Sequence, residues 1–196
     1  MKSAEFVILD QYAEWEGAYL SSQLNQREDW QVRTASHTKV VHSLGGFKTQ
    51  VDDLIAAIPN HLDLLVLIGG NSWNIKDSNL HKIIANCLND GTPVGSICGA
   101  VDYLAKEGLL TGYKHTGNAQ YLWQKFPNYK NEDDFQEKQV VSDRNLVTAN
   151  GTAALDFTEK VLQMIGFSES EIRMAVELHK LGFYAYAAKY GNPYQG

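Results

Sequence analysis

The sequence predicts an α/β fold around a mostly parallel sheet, and three observations carry that prediction. Short β-branched or apolar runs alternate with longer amphipathic ones, as βαβ units require. One run, Leu64–Ile68, is apolar at every position. Another, Pro93–Ile97, ends on Cys98 and passes directly into helical sequence.

In order, the alternation reads as a strand over Glu5–Leu9, a helix over Tyr12–Gln26 and a strand over Gln31–Ala35, then Leu64–Ile68 and a helix over Leu80–Asn89. Leu64–Ile68 lacks polar alternation, so it is expected as a central strand covered on both faces, ending in the turn Gly69-Gly70. Gln139–Ser142 and Leu146–Ala149 flank Asp143-Arg144-Asn145 and read as a hairpin. Thr152 is expected to cap a helix over Ala153–Ile165. From Ser168 a capping pattern opens an add-on helix, so residues 1–167 are assigned to the main domain and 168–196 to a helical extension of it. The extension carries Phe183, Tyr184, Tyr186, Tyr190 and Tyr194. That is more apolar surface than a free tail should show, so it is expected to dock on its own domain near the site mouth or across a dimer seam.

Composition narrows the function. At 196 residues and 44% apolar content the chain suits one core, and its net charge of −6 offers no basic field for a nucleic-acid backbone. No apolar run approaches a membrane span, and the N-terminal run is too short for a secretory signal. The two cysteines, Cys87 and Cys98, stand eleven residues apart with no histidine cluster nearby, which fits neither a disulfide framework nor a zinc site. His37, His42, His61, His81 and His179 have no metal-ligand spacing. The expectation is a cytoplasmic protein with a small-molecule substrate, without metal or cofactor, nucleic-acid partner or membrane attachment.

The chemistry points to Cys98. A tight strand-to-helix turn pushes the side chain at its tip out of the core and tolerates only small neighbours, here Ser96, Gly99 and Ala100. At a helix N-terminus the macrodipole and nearby N–H groups favour thiolate over thiol. The Gly99 N–H, with a second donor from Gly70 or Asn71, is a candidate anion hole. Trp73 and Trp15 are candidate pocket walls, and Cys87, within an apolar helical run, reads as core.

The ordered segments Leu9–Glu16, Leu67–Gly70, Ser96–Ala100, Gly108–Lys114 and Val147–Thr152 resemble the PfpI-type family of the class I glutamine amidotransferase-like superfamily, which includes the parkinsonism-associated deglycase. The resemblance covers about residues 4–166. It implies a flavodoxin-like three-layer sandwich, usually homodimeric, with an acidic side chain from the loop after the first strand beside the elbow cysteine. Glu16 matches that position, with Glu14 as its local competitor. Protease-like members carry a histidine directly after the nucleophile, where this chain has Gly99. Others place one about twenty residues on, where this chain has Asn118, with His115 three residues away as a substitute base. The expected function is a cysteine-nucleophile enzyme acting on a small carbonyl or amide through Cys98 and Glu16. Glyoxalase- or deglycase-like chemistry is favoured over peptide hydrolysis, and the alternative is a thiol sensor that works by oxidation of Cys98.

Overall fold

The structure is a computed structural model describing residues 1–195. The elements in chain order are β1 (Lys2–Val7), α1 (Glu14–Asn25), β2 (Trp30–Ser36), β3 (Val40–His42), β4 (Lys48–Gln50), β5 (Asp53–Leu54), β6 (Leu64–Leu67), α2 (Ser78–Asp90), β7 (Val94–Ile97), α3 (Gly99–Lys106), β8 (Val140–Asp143), β9 (Leu146–Ala149) and α4 (Ala154–Met164). Four helical pieces close the chain: α5 (Glu169–Ile172), a π turn (Arg173–Glu177), α6 (Leu178–Leu181) and α7 (Phe183–Tyr190).

Seven strands form one sheet in the order β5-β2-β1-β6-β7-β9-β8. Every pairing is parallel except β8 with β9, which form the expected antiparallel hairpin with Arg144 at φ 51° in its turn. The short β3–β4 ribbon stands apart from this sheet.

The strand β6 explains its own sequence. Leu64 and Val66 face one core with Leu20 and Leu24 of α1 and Phe157, Val161 and Leu162 of α4. Leu65 and Leu67 face the other, with Leu80 and Ile84 of α2 and Val101 and Leu104 of α3. With apolar layers on both faces, no position of β6 meets water, so a polar alternation would bury unpaired groups. The result is the three-layer α/β sandwich expected from the sequence. The chain winds outward in both directions from β1 and β6, and this reversal leaves a crevice at the carboxyl ends of the strands.

Two local expectations are corrected. Thr152 does not cap α4: Ala153 holds the N-cap position without a side-chain bond, while the Thr152 hydroxyl is spent on Asn150 Oδ1 at 2.8 Å. The extension is not one continuous helix either, because Gly182 turns the chain at φ 77° and α7 folds back, with Arg173 lying over the Tyr190 ring. The capping box at Ser168 does form, and Glu171 of its first turn pairs with Arg27 after α1. Ile172, Ala175 and Val176 then join the α1/α4 core, and Lys180 bonds Asp156 and Glu159 of α4. The extension docks on its own chain along α1 and α4 and lends no side chain to the cavity around Cys98.

Candidate active site

The strand β7 ends at Ile97 and α3 begins at Gly99, so Cys98 alone makes the turn, at φ 59° and ψ −130°. A non-glycine residue held at positive φ costs energy and persists only where its surroundings enforce it. Here they do: the Cys98 N–H donates to Ala149 O at 3.0 Å and its carbonyl accepts from Val101 N at 2.9 Å. The sulfur is thereby turned outward at the start of α3, half-buried.

Four glycines make room for it. A Cβ on Gly69 would lie 2.5 Å from Cys98 Cβ and 2.6 Å from Glu16 Oε2. One on Gly151 would lie 2.8 Å from the sulfur, and one on Gly99 2.6 Å from the Gly70 carbonyl. Gly70 itself sits at φ 139°, packed on Gln11 and Tyr12. The sequence marked Gly70 and Gly99 as anion-binding candidates. It gave no such role to Gly69 or Gly151, although Asn150-Gly151-Thr152 follows a strand just as Gly69-Gly70 does.

The acidic candidate is Glu16, only 1% exposed, whose Oε2 accepts from Gly69 N at 2.9 Å and whose carboxyl packs with Cys98 around Gly69 and Gly151. Glu14 goes elsewhere, accepting from Gly45 N at 3.2 Å. Burial pushes the Glu16 carboxyl up to about 7, against the opposing hydrogen bonds from Cys98 and Gly69. Burial also pushes the Cys98 thiol up, and an ionised Glu16 pushes it further, while Asn118 and the Gly99 N–H favour the thiolate. The backbone donor at the start of α3 thus favours the thiolate, and burial opposes it. Two such neighbours hold one negative charge far more readily than two, so their titration belongs to the pair.

Asn118 reaches the sulfur, with Nδ2 donating to Sγ at 3.3 Å. His115 does not enter the site, and its expected role as substitute base is corrected. It is fully buried, with Nδ1 against Tyr113 O at 2.8 Å and Nε2 against the Tyr129 hydroxyl at 2.9 Å, among the rings of Trp123, Tyr129 and Phe135. Both ring nitrogens are taken, and burial pushes its pKa down, so the imidazole stays neutral. A three-residue shift along an extended segment sends it to the opposite side from Asn118.

The candidate donors for an anion hole narrow to the Gly70 and Gly99 N–H groups. Tyr12 and Gly70 face each other as a non-hydrogen-bonded antiparallel pair, flanked by Ala13 N to Gly69 O and Asn71 N to Gln11 O. Among the described residues the Gly70 N–H is therefore left free, whereas the Asn71 N–H is taken and its expected donor role is corrected. A cavity of about 510 Å³ opens above Cys98, Gly70 and Gly99, with Asn71, Asn118 and Trp73 in its lining. Trp73 is anchored by its Nε1–H to Ile68 O at 2.8 Å. Trp15 is 49% exposed and stands outside this lining, because one residue's step turns it about 100° around α1 from the buried Glu16. Tyr103, Asp102, Lys106 and Phe126 also line the cavity and were not singled out in the sequence. Among the described residues no group of three or more His, Cys, Asp or Glu side chains is gathered as a metal site, and no helix is long and apolar enough to cross a membrane.

The sequence and the fold have known counterparts. The DJ-1/PfpI family profile matches residues 2–164. The chain is 51% identical over 195 residues to the uncharacterized protease YdeA of Bacillus subtilis, covering 99% of each. Among solved structures, a thiJ/pfpI family protein from Bacillus anthracis superposes with a TM-score of 0.80 at 32% identity, covering 91% of this chain and 90% of that one. A DJ-1 superfamily protein from Agrobacterium tumefaciens gives a TM-score of 0.84 at 26% identity, covering 96% and 99%. With the parallel sheet, the elbow cysteine and these matches together, the chain belongs to the DJ-1/PfpI family.

Proposed function

We propose that the protein is a cysteine-nucleophile enzyme acting on a small carbonyl compound, with Cys98 as nucleophile and Glu16 as proton carrier. The observation that carries this reading is the buried Glu16 carboxyl packed with Cys98 around Gly69 and Gly151, with no imidazole beside it: Asn118 stands near the sulfur and His115 is sealed away. Peptide hydrolysis needs a group to protonate a leaving amine, and an amide side chain does not titrate. Addition to an aldehyde needs no leaving group.

For a 2-oxoaldehyde, the Cys98 thiolate adds to the aldehyde carbon, and the oxyanion formed is met by the Gly70 and Gly99 N–H groups. Glu16, neutral at this point, gives that oxygen its proton. As carboxylate it then removes the proton from the same carbon and returns it to the neighbouring one, while the hydroxyl proton passes to the neighbouring oxygen, giving a thioester. Water hydrolyses the thioester to a 2-hydroxy acid and frees the thiol. The sum is the oxoaldehyde plus water, with no external oxidant or reductant.

The homodimer implied by the family belongs to this reading. It is supported by the apolar side chains Trp15, Leu44 and Phe47, left exposed around the start of α1 and the β3–β4 turn. A cytoplasmic location fits the two free cysteines. The test is incubation with methylglyoxal while following 2-hydroxy acid formation by NMR. Turnover that is lost in Cys98→Ser and reduced at least about hundredfold in Glu16→Gln is expected. Absence of turnover with stoichiometric, peroxide-dependent mass gain on Cys98 would replace the enzyme with a thiol sensor.

A further inference from the structure

The cavity above Cys98 has a second end that the reaction above does not use. Asp102 lies one helical turn beyond Cys98 on α3 and lines the same space. Its Oδ1 accepts from Trp123 Nε1 at 2.6 Å, which fixes the orientation of the carboxyl. Among the described residues its Oδ2 has no protein hydrogen-bond partner and is not sealed from solvent, and Asp102 is part of the cavity lining. Lys106, one turn further along the same helix and in the same lining, forms no ion pair with it: its Nζ donates to Asn74 Oδ1 at 2.9 Å and Ile75 O at 3.2 Å. Between the sulfur and this carboxyl the walls are aromatic, formed by Trp73, Tyr103 and Phe126.

A carboxyl in the lining of a binding cavity needs a use, because partial desolvation without a partner is costly. Burial raises the Asp102 pKa, against the Trp123 hydrogen bond. A carboxylate is an acceptor only, so the group it takes must be a donor, and a cation best of all. The rise of an α-helix puts Asp102 about 6 Å along α3 from Cys98. At about 510 Å³ the cavity is also within the size range of pockets for drug-sized ligands, larger than a three-carbon aldehyde needs.

We propose that Asp102 is a specificity residue that takes an ammonium-type donor at the tail of the substrate, while the carbonyl to be attacked lies at Cys98, one helical turn back along α3. The substrate class is then an amine-bearing carbonyl compound with an apolar segment between the two groups. This rests on Cys98 as the reactive atom, but not on turnover.

The test is stoichiometric labelling of Cys98 in a Cys87→Ser background at low ionic strength, read by intact mass. Three methanethiosulfonates of similar size are compared, bearing aminoethyl, hydroxyethyl or sulfonatoethyl groups, with each rate divided by that of a free cysteine peptide. The proposal expects a cation-over-anion preference in the wild-type site. Asp102→Asn keeps an amide oxygen for Trp123 and turns the unpartnered atom from acceptor to donor. At about 6 Å even a fully water-screened unit charge changes each charged reagent's rate about threefold, so the ratio is expected to fall about tenfold. Glu28→Gln, a charge removed from the exposed turn after α1, is expected to leave the ratio unchanged. A preference that survives Asp102→Asn, or falls equally in Glu28→Gln, overturns the proposal. Should Asp102→Asn not fold, a wild-type ratio no higher than that of the free peptide overturns it alone. Methylglyoxal turnover without the charge preference would refute this inference and leave the proposed function standing, and the reverse pattern would do the opposite.

Discussion

The Gly151 N–H donates to Asn118 Oδ1 at 2.9 Å, and this bond decides which end of the Asn118 amide meets Cys98. With its oxygen held by the backbone, the amide can turn only its NH2 toward the sulfur, 3.3 Å away. The Asn118 side chain is therefore a fixed donor toward the sulfur and never a base.

It follows that Asn118→Leu should slow Cys98 alkylation at pH 7 by about tenfold, and that Asn118→Asp should slow it more, since a carboxylate beside the sulfur opposes its ionisation. The check is the second-order rate with iodoacetamide in a Cys87→Ser background. Equal rates in all three proteins would mean that the Asn118 contact does not act on the thiol.

The glycines around the site should respond unequally. Gly69→Ala sets a methyl against Cys98 Cβ and the Ile97 carbonyl at 2.8 Å or less, neither of which can swing away. A loss of about 1–3 kcal/mol is expected in urea denaturation. Gly151→Ala meets the sulfur first, at 2.8 Å, so it should cost less stability and act chiefly by slowing labelling of Cys98.

His115 provides a control of opposite sign. Replacing it by alanine removes a ring packed among three aromatics together with bonds to Tyr113 and Tyr129, so a stability loss of about 2–4 kcal/mol is expected. The pH dependence of Cys98 alkylation should not move. A shifted midpoint in His115→Ala would return the histidine to the site.

Glu5 gives the fold a pH dependence of its own. It lies in β1, 1% exposed, beside Arg33 in β2 with Asp52 and Asp53 nearby, and its Oε1 has no hydrogen-bond partner among the described residues. Burial first, then Asp53, push its pKa up to about 7 from 4.5, against the pull of Arg33. The folded state therefore holds a proton that the unfolded state has lost. The stabilisation is complete below about pH 4.5 and is lost as pH rises through about 7. Glu5→Gln should remove up to about 3 kcal/mol of the wild-type loss between pH 5 and 8, read from urea midpoints at each pH. Parallel profiles for the wild type and the Glu5→Gln variant would contradict the assignment; Glu16 contributes in the same direction and stays in both proteins.

Much of this was legible in the sequence for physical reasons. Leu64–Leu67 declared a strand covered on both faces because each position meets an apolar layer. The elbow declared itself because only small residues fit around Cys98, and that same crowding, read at Gly69 and Gly151, would have completed the site. What stayed hidden depends on where remote segments meet. Whether His115 or Asn118 faced the thiol turned on the direction of an irregular segment. The break at Gly182 and the release of Thr152 from capping were decided by tertiary contacts that local patterns do not carry. Asp102 looked like an ordinary polar position of α3 until Trp123, twenty-one residues away, was seen to hold it.

The central claim is that Cys98 and Glu16 ionise as one unit, and the pH dependence of Cys98 alkylation in Cys87→Ser, with and without Glu16→Gln, tests it most directly. The account predicts a wild-type curve in two steps. The first lies near pH 7, where the pair gives up its first proton, and the second lies above the ordinary thiol range, where both groups become charged. Glu16→Gln should leave a single step, with the one near pH 7 gone. Superimposable curves for the two proteins would mean that Glu16 exchanges no proton with the sulfur, and the proposed chemistry would fall with it.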